Sequence, residues 1–387
     1  MIQWKAMNEE ANKLLKQLNA DFDATAEMGT LSVAQQQMVE IVKAVSFDGR
    51  IIVMDEPTSS LSNDEVEQLF GIIERLKAKQ VSIIYISHRM EELFRISDRV
   101  TIIRDGAYVG TKKTSETNAN ELVAMMVGRE LESFYARDYN DLGHAETALE
   151  VKNLTCEGVF SDISFRVRKG EILGFAGLVG AGRSEIMEAV FGATQPTSGE
   201  VILGGKLVHF KNPMQAIKSG VALVPEDRKK QGLVLGNSVA FNLTLSSLRF
   251  YMNGIAISEK KRGEVIDHYS KRLRIKAASP EIEAGSLSGG NQQKVVLGKW
   301  LATKPDVLIL DEPTRGVDVN AKFEIYTVIN ELAKEGIAII MVSSELPEII
   351  NMCDNVCVVR AGKLVKKLSK DELSQEEIMK YAAGGIE

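Results

Sequence analysis

The sequence is poor in cysteine, proline and aromatic residues, and it contains no long apolar run. Its three cysteines, Cys156, Cys353 and Cys357, form no even set and no CxxC pair, which argues against a disulfide framework. We expect all three to be buried as small apolar side chains. No apolar run approaches the ~20 residues of a membrane-spanning helix, and residues 1–23 lack the basic-then-apolar order of a signal peptide. The sequence therefore predicts a cytosolic protein, or one that is peripheral to a membrane.

Positive charge is not in excess either. The formal net charge of −6 argues against a protein that binds nucleic acid non-specifically through a basic surface. Apolar residues make up 44% and charged residues 26% of the chain, as is typical of a soluble globular protein with a packed core. At 387 residues, and at roughly 150 residues per domain, the chain suits two domains.

An internal repeat organises the chain. Laid on itself at an offset of 256 residues, the sequence matches without gaps over nearly the whole of its first third. The matched pairs include Gly29 with Gly285, Ser32 with Ser288, Lys43 with Lys299, and Asp55 to Thr58 with Asp311 to Thr314. We therefore predict the C-terminal part of a first domain over residues 1–133, a polar linker over 134–147, and a complete second domain over 148–387. In the second copy, strand-like apolar runs alternate with helical segments, which predicts an α/β fold with a mostly parallel central sheet.

A glycine-rich run, GLVGAGRS, follows a strand-like segment and precedes a helix-like one, which is the context of the phosphate-loop pattern GxxxxGK[ST]. Its backbone amides and the helix N-terminus would bind phosphate, and the serine would bind Mg²⁺. Arginine stands where the pattern has lysine, so nucleotide binding is expected but fast hydrolysis is not. A glycine turn with an incidental arginine is the alternative. The candidate residues are Gly177, Gly180, Ala181, Gly182, Arg183 and Ser184.

Each copy contains an apolar strand that ends in Asp-Glu-Pro-Thr, at Asp311 and Glu312 in one and at Asp55 and Glu56 in the other. Ligands bind at such strand ends in open α/β sheets. The aspartates are candidates to hold Mg²⁺, and the glutamates to activate the water that attacks a phosphate. A merely exposed acidic turn is the alternative, which its repetition with the same flanking residues makes improbable.

Two further segments add candidates. The run LSGGNQQK places Ser288, Gly289 and Gly290 at a predicted helix start, a second place where backbone amides can meet a phosphate. The first copy keeps Ser32 but replaces both glycines, which would crowd a close backbone approach. His88 follows a strand in the first copy and is a candidate contact to the γ-phosphate, although an isolated histidine is more often structural.

Together, GLVGAGRS, VPEDR, LSGGNQQK, DEPTRGVDV, and DEPTSSLS with YISH resemble the ATP-binding subunits of bacterial monosaccharide ABC importers, in which one polypeptide fuses two nucleotide-binding domains. The resemblance implies P-loop NTPase-type domains with a helical subdomain and an antiparallel β subdomain, and ATP and Mg²⁺ as ligands. It also implies membrane permease subunits as partners, a sugar-binding protein as an indirect partner, no nucleic acid, and a position on the cytoplasmic face of the membrane. In such importers the sugar contacts the binding protein and the permease, and not the ATP-binding subunit.

The resemblance further implies two composite ATP sites. One would combine Asp55, Glu56 and His88 with Ser288, Gly289 and Gly290, and its phosphate loop would lie about eighty residues before Met1. The other would combine Gly177 to Ser184, Asp311 and Glu312 with Ser32. It carries Arg183 for lysine, Glu226 where such proteins usually have glutamine, and Ser344 for histidine, so we expect it to bind ATP more than to hydrolyse it. We also expect a first copy without its front end to leave apolar surface uncovered on residues 1–130.

Two alternatives stay open. A soluble twin-domain ABC protein that acts on ribosomes would have similar motifs, but the short linker and the acidic charge favour the transporter. A truncated chain that binds nucleotide without turnover is the second. Within the importer hypothesis, residues 237–284 would be the helical subdomain that meets the permease. Phe160 is a candidate to stack on adenine, although a strand-core position is the simpler interpretation.

Overall fold

The computed structural model divides the chain into two compact units, Met1–Gly128 and Arg129–Glu387, and each is described by itself. The structure describes residues 3–17, 20, 22–47, 49–58, 61, 63–87, 89–104, 106–127, 135, 142–253 and 256–384. Within these ranges, none of the helices combines the length and the apolar character that crossing a bilayer requires.

The first unit packs helices against short strands. Its helices are α1 Trp4–Gln17, α2 Val33–Ser46, α3 Asn63–Ala78, α4 Met90–Ile96 and α5 Ala119–Val127, and its strands are β1 Ile51–Asp55, β2 Ser82–Ile86, β3 Arg99–Arg104 and β4 Ala107–Lys113. Strands β1 and β2 pair in parallel, whereas β3 and β4 form an antiparallel pair. Helix α3 forms because Val66, Leu69, Phe70 and Ile73 recur at helical spacing, and all four are buried in the core of this unit.

One face of the β1–β2 pair is apolar and open to solvent. Along β1, Ile52 and Met54 are buried, whereas the alternate residues face outward. The outward residues are Ile51 at 64% exposure, Val53 at 60%, Ile84 at 54% and Ile86 at 46%. The expectation of uncovered apolar surface on the first copy is therefore confirmed.

The second unit contains the larger sheet and more helices. Its strands are β5 Thr147–Cys156, β6 Phe160–Arg168, β7 Ile172–Ala176, β8 Ser198–Leu203, β9 Lys206–Val208, β10 Val221–Val224, β11 Met252–Asn253, β12 Ala256–Ile257, β13 Val307–Asp311, β14 Ala338–Val342, β15 Asn355–Arg360 and β16 Lys363–Ser369. Its helices are α6 Arg183–Phe191, α7 Pro213–Lys218, α8 Val239–Leu245, α9 Glu259–Arg272, α10 Gly289–Leu301, α11 Val319–Lys334, α12 Leu346–Met352 and α13 Gln375–Ala383.

The central sheet of the second unit has the strand order β10-β13-β14-β7-β15-β16. All its pairings are parallel except that of β15 with β16. A separate antiparallel sheet has the order β6-β5-β8-β9, and helices α8 and α9 lie in the predicted helical segment. The predicted α/β fold, with a mostly parallel central sheet, an antiparallel β subdomain and a helical subdomain, is confirmed. All residues of β7, β13 and β14 are buried, and because these strands are parallel neighbours, their carboxyl ends meet at the same end of the sheet.

The internal repeat is also a repeat of structure. Helices α3, α4 and α5 begin and end 256 residues before α11, α12 and α13, and β1 and β2 stand in the same relation to β13 and β14. The exposure of the strands nevertheless differs. Strands β13 and β14 are buried throughout, and β7 lies between β14 and β15 in their sheet. Among the described residues of the first unit, β2 pairs with β1 alone, and no strand takes the place of β7.

Three details differ from the simplest sequence interpretation or refine it. Cys353 and Cys357 are buried as predicted, but the prediction is wrong for Cys156, which is only half-buried because it lies at the end of β5 opposite Phe160. Phe160 is itself 4% exposed, so it is a core residue, as the simpler interpretation held. Tyr135, in the predicted linker, stacks on Tyr326 with ring centroids 5.3 Å apart.

Candidate nucleotide-binding site

The glycine-rich loop connects the buried strand β7 to helix α6, as predicted. Gly182 is the residue before the helix and has φ +97°, a left-handed value that disfavours any side chain. A Cβ on Gly177 would lie 2.3 Å from the carbonyl oxygen of Val359, so only glycine lets the loop pass β15. The backbone thus curls at the N-terminus of a nine-residue helix, where amide groups and the helix dipole favour an anion.

Asp311 lies at the end of β13 and Ser184 in the first turn of α6. The Asp311 carboxyl is 5% exposed, and among the described residues its Oδ1 has no hydrogen-bond partner. Burial raises the pKa of Asp311 to about 6, and a hydrogen bond from Ser184 opposes that rise. An unpartnered carboxylate oxygen beside a hydroxyl is the oxygen chemistry that Mg²⁺ prefers, so the residues present fit this ion.

Glu312 directly follows Asp311 and is held in a strained conformation. Its φ of +47° is left-handed, which costs about 1–3 kcal/mol for a residue other than glycine. Its amide donates to the carbonyl of Val342 at 2.9 Å, and the Ser344 hydroxyl donates to its Oε2 at 3.1 Å. Burial raises the pKa of Glu312, while the hydrogen bonds from Ser344 and the charge of Arg183 oppose the rise. The carboxylate therefore sits beside the Asp311 site, where it can orient a water molecule.

Arg183 does not extend into the loop that precedes it. Its guanidinium is 8% exposed, and Nη1 donates to the carbonyl of Ser343 at 2.7 Å. Nη2 lies 3.5 Å from Oε1 of Glu312, in an ion pair of two nearly buried side chains. The basic residue of the phosphate loop is thus paired with the candidate general base, an arrangement that the sequence pattern did not predict.

Glu226 lies in the VPEDR segment and forms an ion pair with Arg315, which follows the DEPT motif. Arg228 binds the same loop, because Nη1 donates to the carbonyl of Arg315 at 2.6 Å and Nη2 to that of Gly316 at 3.0 Å. These contacts join two segments that are nearly ninety residues apart. Sequence analysis assigned no role to either arginine, although Arg228 lies within VPEDR and Arg315 within DEPTRGVDV, two motifs that it had identified.

The SGG segment begins α10 as expected, but its glycines have a local packing role. A Cβ on Gly289 would lie 2.9 Å from the carbonyl oxygen of Gly316, and one on Gly290 would lie 2.4 Å from the Cβ of Ala321. Ser288 makes no hydrogen bond to the backbone of the helix start, and its hydroxyl instead accepts from Asn291 at 3.0 Å. The packing of the second unit therefore requires both glycines, independently of any ligand that Ser288 binds.

In the first unit, Asp55 is exposed at the end of β1, in contrast to the buried Asp311. Glu56 has the same φ of +47° as Glu312, and its amide donates to the carbonyl of Ile86 at 2.9 Å. Ser32 is part of a reciprocal cap: its hydroxyl accepts from the amide of Gln35, whose side chain accepts from the amide of Ser32. His88 lies outside the described residues.

A protein-family model described as "ABC transporter" matches residues 2–59 and 160–315 of the chain. A ribose import ATP-binding protein of Geobacillus kaustophilus is 49% identical over 385 residues, which is 100% of this chain and 78% of that protein. A protein of the same name from Shouchella clausii is 50% identical over 381 residues, which is 98% of this chain and 76% of that protein.

Solved structures share the fold. A nucleotide-free ATP-binding cassette from an ABC transporter matches with a TM-score of 0.52 at 22% identity, covering 62% of this chain and 96% of that one. A dimeric cassette in a post-hydrolysis state with ADP and Pi matches with a TM-score of 0.51 at 19% identity, covering 57% of this chain and 98% of that one. Together with the loop, the acidic strand end and the relatives, these matches show that the chain belongs to the ABC transporter family, with the nucleotide-binding fold of its ATP-binding cassettes.

Proposed function

We propose that this chain is the ATP-binding subunit of an ABC importer and that it couples ATP hydrolysis to the uptake of a monosaccharide. The relatives that match nearly the whole chain are named for ribose import, which makes ribose the first sugar to test. The observation that carries the proposal is the cluster of Ser184, Asp311 and Glu312 beneath a glycine-rich loop. The loop offers backbone amides for phosphate, Ser184 and Asp311 offer oxygen ligands for a metal ion, and Glu312 is a candidate base.

The proposed roles follow from the chemistry of each group. Amides of Gly177 to Ser184 bind the phosphates of ATP, and Ser184 and Asp311 hold Mg²⁺. When bound, Mg²⁺ neutralises charge on the phosphate oxygens. Glu312 orients the attacking water and accepts its proton. In the first unit, Glu56 is the candidate base, His88 the candidate contact to the γ-phosphate and Asp55 the candidate metal ligand. The remaining candidates are nucleotide contacts: Ser32, Gly180, Ala181, Gly182, Glu226, Ser288, Gly289 and Gly290.

We also propose the domain boundaries 1–133, 134–147 and 148–387, and a position on the cytoplasmic face of the membrane. Residues 237–284 would meet the permease subunits, and the sugar-binding protein would act on this chain only through them. Exposed apolar side chains at Leu245 and Phe250 support a contact in this segment.

Phosphate release from the purified chain tests the hydrolytic function. Glu312→Gln and Glu56→Gln keep the size of each side chain but remove the base, so the variant that abolishes turnover identifies the site in use. Each variant is also tested for binding of a fluorescent ATP analogue, which should persist. Turnover that survives both substitutions would contradict the assignment of the general base.

Nucleotide binding without turnover is the second candidate function. The ion pair of Arg183 with Glu312 favours it, because a base that is already paired must give up that contact before it can orient water. This candidate predicts analogue binding that depends on Ser184 but no phosphate release above that of a Ser184→Ala, Glu312→Gln control. Robust release abolished by Glu312→Gln would exclude it.

Cross-linking tests the permease contact. Single cysteines at Leu235 or Ser238 would be placed in a background with Cys156→Ser, because the two other native cysteines are buried. A cysteine at the exposed Lys304, in the turn after α10, serves as the control. Adducts with a permease subunit from the first two positions but not from the third are expected, and adducts from none would contradict the contact.

A further inference from the structure

A buried carboxylate on α12 joins the two loops that flank Glu312. Glu348 is 1% exposed, and its Oε1 accepts hydrogen bonds from the Thr314 hydroxyl and, at 2.5 Å, from the Tyr326 hydroxyl. Its Oε2 accepts from the Ser343 hydroxyl at 2.7 Å. The Lys322 ammonium lies 3.5 Å from Oε1. Four side chains thus converge on one carboxylate that solvent hardly reaches.

The first unit contains the same arrangement around Glu92, which is 4% exposed. Its carboxylate accepts from the Thr58 hydroxyl at 2.8 Å, the Tyr85 hydroxyl at 2.8 Å and the Ser87 hydroxyl at 3.0 Å. Arg89 Nη1 donates to it at 2.8 Å. Glutamate, threonine and serine stand at the 256-residue offset from their counterparts in the second unit.

The other two partners come from different places in the two units. The tyrosine is Tyr85 on strand β2 in one unit and Tyr326 on helix α11 in the other. The cation is Arg89, just before α4, in one unit, whereas α11 supplies Lys322 in the other. A buried carboxylate with a threonine, a serine, a tyrosine and a cation therefore recurs although only part of the set is repeated in sequence. This recurrence indicates a requirement for the carboxylate at this place.

The position of the carboxylate matters for the site. Thr314 stands two residues after Glu312, and Ser343 directly follows β14, whose Val342 carbonyl accepts from the Glu312 amide. The Ser343 carbonyl is also the acceptor for Arg183. Glu312 and Glu56 share the unfavourable left-handed φ of +47°, which persists only where neighbouring contacts hold the turn.

We propose that Glu348, and Glu92 in the first unit, are positioning residues that hold the turn of the catalytic glutamate against the adjacent strand end. The inference rests on the proposed hydrolytic function and adds to it two buried carboxylates that contact the residues around the acidic turns. A buried carboxylate that merely fills the core would stabilise the unit without controlling the geometry of Glu312.

Hydrogen exchange and kinetics on the full chain separate these two roles. Glu348→Gln replaces one acceptor oxygen by a donor, and Thr314→Val removes the hydroxyl, whereas Thr314→Ser retains it. Glu171→Gln is the matched control, because Glu171 is also buried and accepts from Asn355 at 2.7 Å, but it lies at the start of β7, away from the acidic turn. Amide exchange is followed in the peptide of residues 310–316, and kcat and ATP affinity are measured alongside it.

We expect Glu348→Gln and Thr314→Val to speed amide exchange in that peptide at least tenfold. Both should lower kcat at least tenfold while ATP affinity changes less than threefold. Thr314→Ser and Glu171→Gln should stay within twofold of the parent chain in exchange and in kcat. Unchanged exchange in Glu348→Gln, faster exchange without a fall in kcat, or equal effects from Glu171→Gln would each overturn the proposal. If the parent chain showed no turnover, that result would contradict the proposed hydrolysis and not the positioning role. The amide-exchange rates of the variants would then test by themselves whether Glu348 holds the turn.

Discussion

Replacing Asp311 by asparagine should stabilise the second unit at neutral pH while weakening its response to Mg²⁺ and ATP. The carboxylate is 5% exposed, and in the described part of the chain its Oδ1 lacks a hydrogen-bond partner. Without a cation beside it, the ionised form is costly to bury. Asparagine has nearly the same shape and carries no charge, so it removes that cost together with the metal ligand.

The magnitude follows from the pKa of Asp311, which is 3.8 ordinarily and rises to about 6 in the folded unit through burial. The folded state therefore binds the proton more tightly than the unfolded state does. Stability from this group is fully present below about pH 4 and is lost as the pH rises through about 6. At about 1.36 kcal/mol per pKa unit, the loss amounts to about 3 kcal/mol. The asparagine variant should gain that amount relative to the parent between about pH 4 and pH 8.

The assay is urea unfolding at several pH values, followed by the fluorescence of Trp300. Trp4 in the first unit is replaced by phenylalanine in both proteins, because the chain has two tryptophans and two units that need not unfold together. The same series with Mg²⁺ and ATP should stabilise the parent and have little effect on Asp311→Asn.

Asp354→Asn is the matched control. Asp354 is buried in the same unit, but its Oδ2 accepts from the Ile172 amide at 2.8 Å, so its substitution should destabilise the unit by about 1 kcal/mol. A difference between Asp311→Asn and the parent that does not change with pH would refute the reasoning. So would equal responses of both proteins to Mg²⁺ and ATP.

Three further changes have outcomes that the structure predicts. Arg183→Lys should raise kcat about tenfold, or about 1.4 kcal/mol, because the shorter side chain frees Glu312 from its ion pair; phosphate release measures it. Gly290→Ala should destabilise the second unit by about 1–3 kcal/mol in urea unfolding, since the added Cβ overlaps a neighbour, whereas Gly263→Ala, with open space inside α9, should stabilise it by about 0.5–1 kcal/mol. Ile84→Thr should reduce binding of an apolar fluorescent dye while changing stability by less than about 0.5 kcal/mol, because Ile84 is exposed.

Each of these expectations has a contrary result. A lower kcat in Arg183→Lys would show that the guanidinium serves the reaction and does not restrain the base. Equal effects of Gly290→Ala and Gly263→Ala would mean that helix propensity, and not crowding, governs both positions. Undiminished dye binding by Ile84→Thr would place the accessible apolar surface elsewhere in the molecule.

Much of the architecture was predictable because it rests on local patterns. The alternation of strand-like apolar runs with helical segments in the second copy predicted its α/β fold, and the repeat at 256 residues indicated that the first copy has matching elements. The phosphate loop was recognisable from the sequence because its glycines are required by the local backbone conformation, such as the left-handed φ of Gly182 before α6. The half-buried Cys156 was mispredicted because its burial depends on where β5 ends, and no local pattern encodes that position.

The sequence by itself determined the two related copies, the order of their elements and the candidate residues for binding phosphate and metal. Tertiary structure alone decided how those residues are paired and buried. Asp55 and Asp311 end strands of nearly the same sequence, yet only Asp311 is buried, because its sheet includes β7, and Ser184 and Arg183 in the helix that follows β7 lie beside Asp311. Arg183 forms an ion pair with Glu312 and donates to the Ser343 carbonyl, although both are more than 120 residues away along the chain. The three residues meet because they follow β7, β13 and β14, which are neighbours in the sheet. Contacts of that kind depend on which strands are neighbours, and neighbouring strands are chosen by the whole fold.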